Sequence, residues 1–159
     1  MKTSILYTVF IIAVSSAVTI SCKKEKQAAA NDPYNLDVNL TGSGNATGSI
    51  LFRQDPDTIK IVTLETKVDK LLPNHEYLLQ RAVDTQIDGN CTGTMWLTLG
   101  KGLTPRSIFT DPYGKGTEIL WRDLSALASG TVFDIHFQIL DAANMSILLN
   151  SGCHQYTVR

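Results

Sequence analysis

The chain has 159 residues, with 14 lysines and arginines against 15 aspartates and glutamates, so its formal net charge is −1. A chain without a basic excess does not fit a nucleic-acid-binding protein. Its length and its 43% hydrophobic content fit one domain of ordinary size that buries a core without a metal.

The first 21 residues have the layout of a secretory signal peptide. Lys2 precedes an apolar stretch from Ile5 to Ile20, and the small residue Ser21 stands before Cys22. The apolar stretch is shorter than the roughly 20 residues that a membrane-spanning helix needs. The sequence therefore predicts a cleaved signal over residues 1–21, and a single membrane span is the alternative.

The run Thr19-Ile20-Ser21-Cys22 resembles the lipobox of bacterial lipoproteins. In that family the cysteine receives the lipid, which includes palmitate, and becomes the first residue of the mature protein. The resemblance implies lipidation at Cys22 and a place in the cell envelope, on the outer membrane of a Gram-negative bacterium. Residues 22–35 are then the lipidated cysteine and a flexible tether, and the membrane is a partner through the lipid.

Residues 36–159 are predicted to form one β-sandwich domain. Strand patterns follow one another at residues 35–40, 48–53, 58–71, 76–83, 94–99, 106–109, 117–122, 132–139, 147–149 and 154–158. About ten short strands without a long helix indicate an all-β, antiparallel Greek-key sandwich of the immunoglobulin-like type. The expected core comprises Val38, Leu40, Ile50, Phe52, Ile61, Leu71, Tyr77, Phe133, Ile135, Phe137 and Ile139.

Two cysteines remain once the lipid has taken Cys22. Cys91 and Cys153 form an even pair in an exported protein, and both lie in polar, turn-rich sequence. We therefore predict a disulfide between them, with two separate buried thiols as the alternative.

The stretch Leu71-Leu72-Pro73-Asn74-His75-Glu76-Tyr77 resembles the tyrosine corner of fibronectin type III and related immunoglobulin-like domains. That resemblance implies that the Tyr77 hydroxyl bonds to backbone a few residues upstream and that Leu71 packs beneath the ring.

A weaker resemblance is to the copper/zinc superoxide dismutase sandwich. It comprises a Leu-Pro turn, a strand, the run Asp88-Gly89-Asn90-Cys91, an Asp-x-x-Gly-x-Gly turn at residues 111–116 and a second cysteine near the C-terminus. The dense histidine spacing of that family's metal site is missing, which implies a shared fold without the metal site.

Few residues have the spacing of a chemical site. His75, His136 and His154 stand far apart, so we predict three surface histidines and neither a metal nor another cofactor. Residues 84–89 resemble the start of a calcium loop, but position twelve is Met95 and supplies no carboxylate. An irregular calcium site at Asp84, Asp88 and Asn90 is left open beside a plain polar loop. No motif for a nucleophile or for paired catalytic carboxylates occurs, so no catalytic residue is assigned.

The sequence thus favours a non-catalytic envelope module that binds a protein or a glycan, and the alternative is an enzyme or metalloprotein related to the dismutase sandwich. A binding surface is predicted at the loop of residues 84–93, with Asp84, Asp88 and Asn90, and at Trp96, which follows the loop and would supply an apolar anchor. Ordinary solvated turns are the alternative there. The oligomeric state is left open.

Overall fold

The computed structural model describes residues 32–56 and 59–159, so the predicted signal segment, Cys22 and most of the predicted tether lie outside the described residues. All regular structure in these ranges is β-strand, and none of it is a helix long and apolar enough to cross a membrane. The first six strands are β1 (Asn35–Gly42), β2 (Thr47–Gln54), β3 (Ile61–Asp69), β4 (Glu76–Asp84), β5 (Leu97–Thr98) and β6 (Gly100–Lys101). The remaining six are β7 (Thr104–Pro105), β8 (Ser107–Phe109), β9 (Gly116–Asp123), β10 (Val132–Asp141), β11 (Ile147–Ser151) and β12 (His154–Thr157).

The strands form one sheet that folds over into a barrel-like sandwich. The main path runs β4-β10-β11-β1-β2-β3-β9, and β12 adds to β10. The short strands β5 to β8 connect the two ends of this path, since β5 and β8 pair with β4 while β6 pairs with β9. All pairs are antiparallel except β6 with β9, so the purely antiparallel expectation needs that one correction.

The core follows the predicted alternation on most strands. Val38, Leu40, Ile50 and Phe52 are buried as expected, and so are Ile135, Phe137 and Ile139 of β10. The prediction for β3 is off by one residue, because Val62, Leu64 and Val68 form its inner face and Ile61 is only half-buried. A one-residue shift moves every side chain of a strand to the opposite face.

The second face of β10 is also covered, although its polar side chains suggest solvent. Asp134 and Gln138 are both buried. The segment after β4 lies over this face, since Asp134 accepts backbone hydrogen bonds from Asp88 and Gly89. The sandwich therefore has a small polar layer outside its apolar core.

Several strand ends meet at one end of the sandwich. Asn35 at the start of β1 pairs with Arg53 near the end of β2, and Ile61 at the start of β3 pairs with Asp123 at the end of β9. The end of β4 and the start of β10 lie together in the same way. The backbone N–H of Thr157 donates to the Pro33 carbonyl at 2.9 Å, which fixes the incoming chain to β12. The chain from residue 32 thus enters the domain at this end.

Candidate functional site

A disulfide attaches the predicted binding loop to the C-terminal part of the sheet. Cys91 and Cys153 are bonded, with their Cα atoms 5.3 Å apart, as the sequence predicted. The bond joins the loop of residues 84–93 to the turn between β11 and β12. This loop is therefore held at both its β4 end and its far end.

Two carboxylates organise the backbone of that loop. Asp84 Oδ2 accepts hydrogen bonds from the N–H groups of Thr92 and Gly93, both at 3.0 Å. Asp134 Oδ2 accepts them from Asp88 at 3.1 Å and Gly89 at 2.8 Å. These contacts give both carboxylates a structural role in shaping the loop.

Side chains of the loop itself also make local bonds. Asp88 Oδ1 accepts the N–H of Asn90 at 2.9 Å, and its Oδ2 accepts a bond from Gln86. In residues 32–56 and 59–159, no three acidic, histidine or cysteine side chains are grouped as they would be around a metal ion. Partner binding by Asp84, Asp88 and Asn90 stays a prediction.

Trp96 is half-buried and packs on a histidine. Its ring centroid lies 4.6 Å from that of His136, and the two planes are tilted by 35°. His136 Nε2 is 3.1 Å from the Gly93 carbonyl oxygen, so the histidine links the tryptophan to the loop. The indole thus has an intramolecular contact, and only part of it is open to a partner.

The other two histidines lie elsewhere, with different surroundings. His75 Nε2 is 2.9 Å from Asp141 Oδ2 in the connection before β4, and this hydrogen bond is the main cause that lowers the pKa of Asp141. His154 Nε2 is buried and lacks a hydrogen-bond partner among the described residues, and burial lowers the pKa of His154. His154 is half-buried like His75 and His136, so it keeps part of its surface exposed although its Nε2 atom is buried.

An apolar cavity of about 270 Å³ lies inside the sandwich, at the end where the chain enters. Phe52, Phe133, Phe137 and Tyr156 form an aromatic wall, and their neighbouring rings meet edge to face. Leu124 and Leu127, from the connection between β9 and β10, line its outer part. Cavities of this kind are the usual sites for small apolar ligands.

The cavity wall is fixed by a buried hydrogen bond. The Tyr156 hydroxyl donates to Gln54 Oε1 at 2.5 Å, and the backbone N–H of Arg159 donates to the same oxygen at 2.7 Å. Burial raises the pKa of Tyr156, so its hydroxyl stays protonated and remains a donor. The aromatic wall is thereby preorganised.

Two arginines also line this apolar cavity, and both stand at core-facing positions. Arg81 follows Tyr77 and Leu79 on the inner face of β4, and Arg122 follows Leu120 on the inner face of β9. Both side chains are half-buried, and charged side chains are rarely buried unless they are paired. Neither residue was predicted from the sequence to belong to a site, although the two-residue period of the strands places both of them inward.

No carboxylate of the described residues forms an ion pair with either guanidinium group. Arg122 Nη1 donates to the Gly102 carbonyl at 3.1 Å, and the charge of Arg122 helps to lower the pKa of the adjacent Asp123. Burial, and then the charge of Arg122, lower the pKa of Arg81, whose guanidinium has no side-chain hydrogen-bond partner in the described ranges. The site therefore combines an apolar interior with two positive charges, and that of Arg122 is partly offset by Asp123.

Comparison of the chain with protein-family models, with curated proteins and with solved structures finds no match.

Proposed function

We propose that this chain is a non-catalytic binding module of the bacterial cell envelope, anchored to the membrane by a lipid on Cys22, and that its binding site is the apolar cavity of the sandwich. The observation that supports the binding site is the cavity of about 270 Å³ with its fixed aromatic wall. A cavity of about 150 Å³ lined by apolar side chains already holds a benzene molecule.

The connections between the strands support the assignment of the fold to a Greek-key sandwich. The chain runs through the β1-β2-β3 hairpins, then crosses to β4, and it crosses again from β9 to β10. The Tyr77 hydroxyl accepts the bond expected of a tyrosine corner. We infer an immunoglobulin-like Greek-key arrangement, in which function lies in a site added to a common scaffold.

The cavity assignment is tested with 1-aminonaphthalene, a neutral fluorescent probe of ten carbons and one nitrogen that matches the cavity volume of about 270 Å³. The mature chain carrying Cys22→Ala is used, because the unlipidated protein needs no detergent that would fill the cavity. Val83 lines the cavity, so Val83→Phe should weaken probe binding by about tenfold or more, since overpacking a filled site costs about 1–3 kcal/mol. Ile119→Phe, on the exposed face of β9, is the matched control and should bind as the parent does.

Two results would reject the cavity as the binding site: absence of any fluorescence rise with the parent protein, or equal loss in both phenylalanine variants. Thermal unfolding of each variant shows that the domain remains folded.

The anchor has a separate test, in which Cys22→Ala should release the protein from membranes or block its maturation. If the variant loses its signal and still stays on membranes, the anchor is different.

The alternative of a dismutase-like metalloprotein predicts bound copper or zinc. Metal analysis and superoxide turnover of the purified protein decide between the two classes. Stoichiometric metal would replace the proposal of a non-catalytic module.

A further inference from the structure

We propose that the cavity ligand is a single-chain amphiphile with an anionic head group, whose acyl chain fills the apolar interior and whose head group binds Arg81 and Arg122. This inference rests on the proposed function, because it requires that the cavity bind a ligand. It goes further by specifying the charge, the size and the source of that ligand.

The charge of the cavity lining favours an anionic ligand. Arg81 and Arg122 line one cavity and repel each other, and in the described part of the chain neither forms an ion pair with a carboxylate. Asp123 offsets part of the charge of Arg122, whereas nothing described offsets that of Arg81. Placing two like charges beside apolar walls is unfavourable without a counterion. Guanidinium groups bind carboxylate and phosphate oxygens through two parallel hydrogen bonds. An anionic head group is therefore the chemistry that completes this site.

The volume of the cavity limits the size of the ligand. If about 150 Å³ accommodates the six carbons of benzene, a cavity of about 270 Å³ takes roughly ten carbons. The walls are aromatic and aliphatic along the strands, so the part of the ligand inside them is hydrocarbon. One chain of medium length fits, whereas the two long chains of an ordinary phospholipid exceed the volume.

The position of the cavity in the domain indicates the source of the ligand. The cavity lies at the end of the sandwich where residues 32–35 enter, beside the Thr157–Pro33 hydrogen bond. Asp32 follows Cys22 by ten positions in the sequence, and ten extended residue steps span at most about 36 Å. A lipid on Cys22 would hold this end of the domain close to the bilayer. The membrane surface is the local source of single-chain amphiphiles.

The ligand class is tested by calorimetric titration of the mature Cys22→Ala chain with four probes of equal chain length. Decanoate represents a free fatty acid, and decanoyl lysophosphatidate represents a membrane-derived phosphate. 1-Decanol and decylammonium carry neutral and positive head groups. We expect at least one of the two anions to bind tenfold or more tightly than decanol, and decylammonium to bind most weakly.

The arginines are tested with Arg81→Met and Arg122→Met, which keep much of the side-chain length without the charge. Each should lower the affinity for the preferred anion about tenfold and leave decanol binding nearly unchanged. Arg106→Met removes an exposed arginine outside the cavity and should change neither.

The outcomes separate this inference from the proposed function. If decanol binds as tightly as both anions, or if the anion preference survives in both cavity variants, the head-group assignment is wrong and the cavity function stands. If none of the four probes binds, both are wrong.

Discussion

The hydroxyl of Tyr77 accepts a hydrogen bond from the backbone N–H of Leu72, five residues upstream, at 2.9 Å. Tyr77 is fully buried at the start of β4, and Leu71 packs against the same core. The bond closes the turn through Pro73 that leads the chain from β3 across to β4. This contact is the one that the tyrosine-corner pattern predicted.

Replacing Tyr77 by phenylalanine should therefore destabilise the fold without opening a cavity. The ring stays, but the Leu72 N–H loses its acceptor, and we expect the free energy of unfolding to fall by about 1 kcal/mol. Urea denaturation measures the change. Tyr113→Phe is the matched control, because Tyr113 is exposed in the turn before β9 and should alter stability little. Equal effects of the two substitutions would contradict a specific role for the Tyr77 hydroxyl.

The disulfide should contribute more stability than any single hydrogen bond. Cys91 and Cys153 are separated by 62 residues in sequence, and closing such a loop restricts the unfolded chain by about 4 kcal/mol. The double variant Cys91→Ala/Cys153→Ala should lose an amount of this order in denaturant unfolding. Peptide mapping without reduction should find the pair bonded in protein from its native source, whereas free thiols at both positions would refute the bond.

The strands could be predicted because their signals are local, and the disulfide because only two cysteines remain once Cys22 is assigned to the lipid. In β1 and β10 the alternation of apolar residues sets which side chains face inward, and turn residues mark most of the boundaries. The same alternation is present in β3, where Val62, Leu64 and Val68 are separated by polar residues. The prediction of Ile61 as a core residue goes against that alternation, because Ile61 is in phase with the polar residues that face outward.

The cavity arginines show where reading the sequence by residue type fails. Arg81 follows Leu79 by two residues and Tyr77 by four in β4, so the two-residue period of the strand places it on the same inner face. Its charge suggests solvent, and nothing local shows that Arg122, 41 positions later, lines the same cavity. The pairing of distant strands creates that site.

The same limit applies to the outer face of β10. Asp134 and Gln138 look like solvent-facing residues, yet both are buried, and the loop after β4 covers Asp134. A loop has no periodic pattern of apolar residues, so the sequence does not show which face of the sheet the loop covers. Gln138 instead finds its partner in Gln80, whose side-chain oxygen accepts a bond at 2.8 Å.

The pH dependence of stability should include a contribution from His154. Burial lowers the pKa of His154 in the folded protein, and its buried Nε2 has no partner among the described residues. The unfolded chain therefore takes up a proton first as the pH falls below about 6.5, and the free energy of unfolding decreases by up to about 1.4 kcal/mol per pH unit. The contribution is fully present above pH 6.5.

The variant His154→Phe should show a flatter profile between pH 7 and 5, while the two profiles run parallel between pH 8 and 9. Urea midpoints measured across this range provide the comparison. Identical slopes for parent and variant below pH 6.5 would show that His154 does not titrate with folding.

The loop of residues 84–93 should lose its order when the Asp134 carboxylate is removed. Asp134 Oδ2 accepts the N–H groups of Asp88 and Gly89, and bonds to a buried carboxylate contribute about 1.5–3 kcal/mol each. In Asp134→Ala, hydrogen exchange at these two amides should be about tenfold faster or more. The disulfide at Cys91 stays, so the effect should end near that residue.

Asp111→Ala provides the matched control for this prediction. Asp111 Oδ1 accepts the N–H groups of Tyr113 and Lys115 in a different turn, at 2.8 and 2.9 Å. Its removal should accelerate exchange at those two amides and leave Asp88 and Gly89 protected. Asp134→Ala should accelerate exchange at Asp88 and Gly89 and leave the amides of Tyr113 and Lys115 protected. If Asp134→Ala accelerates exchange across the whole sheet, the carboxylate stabilises the core as a unit, and the loop has no separate order that this residue controls.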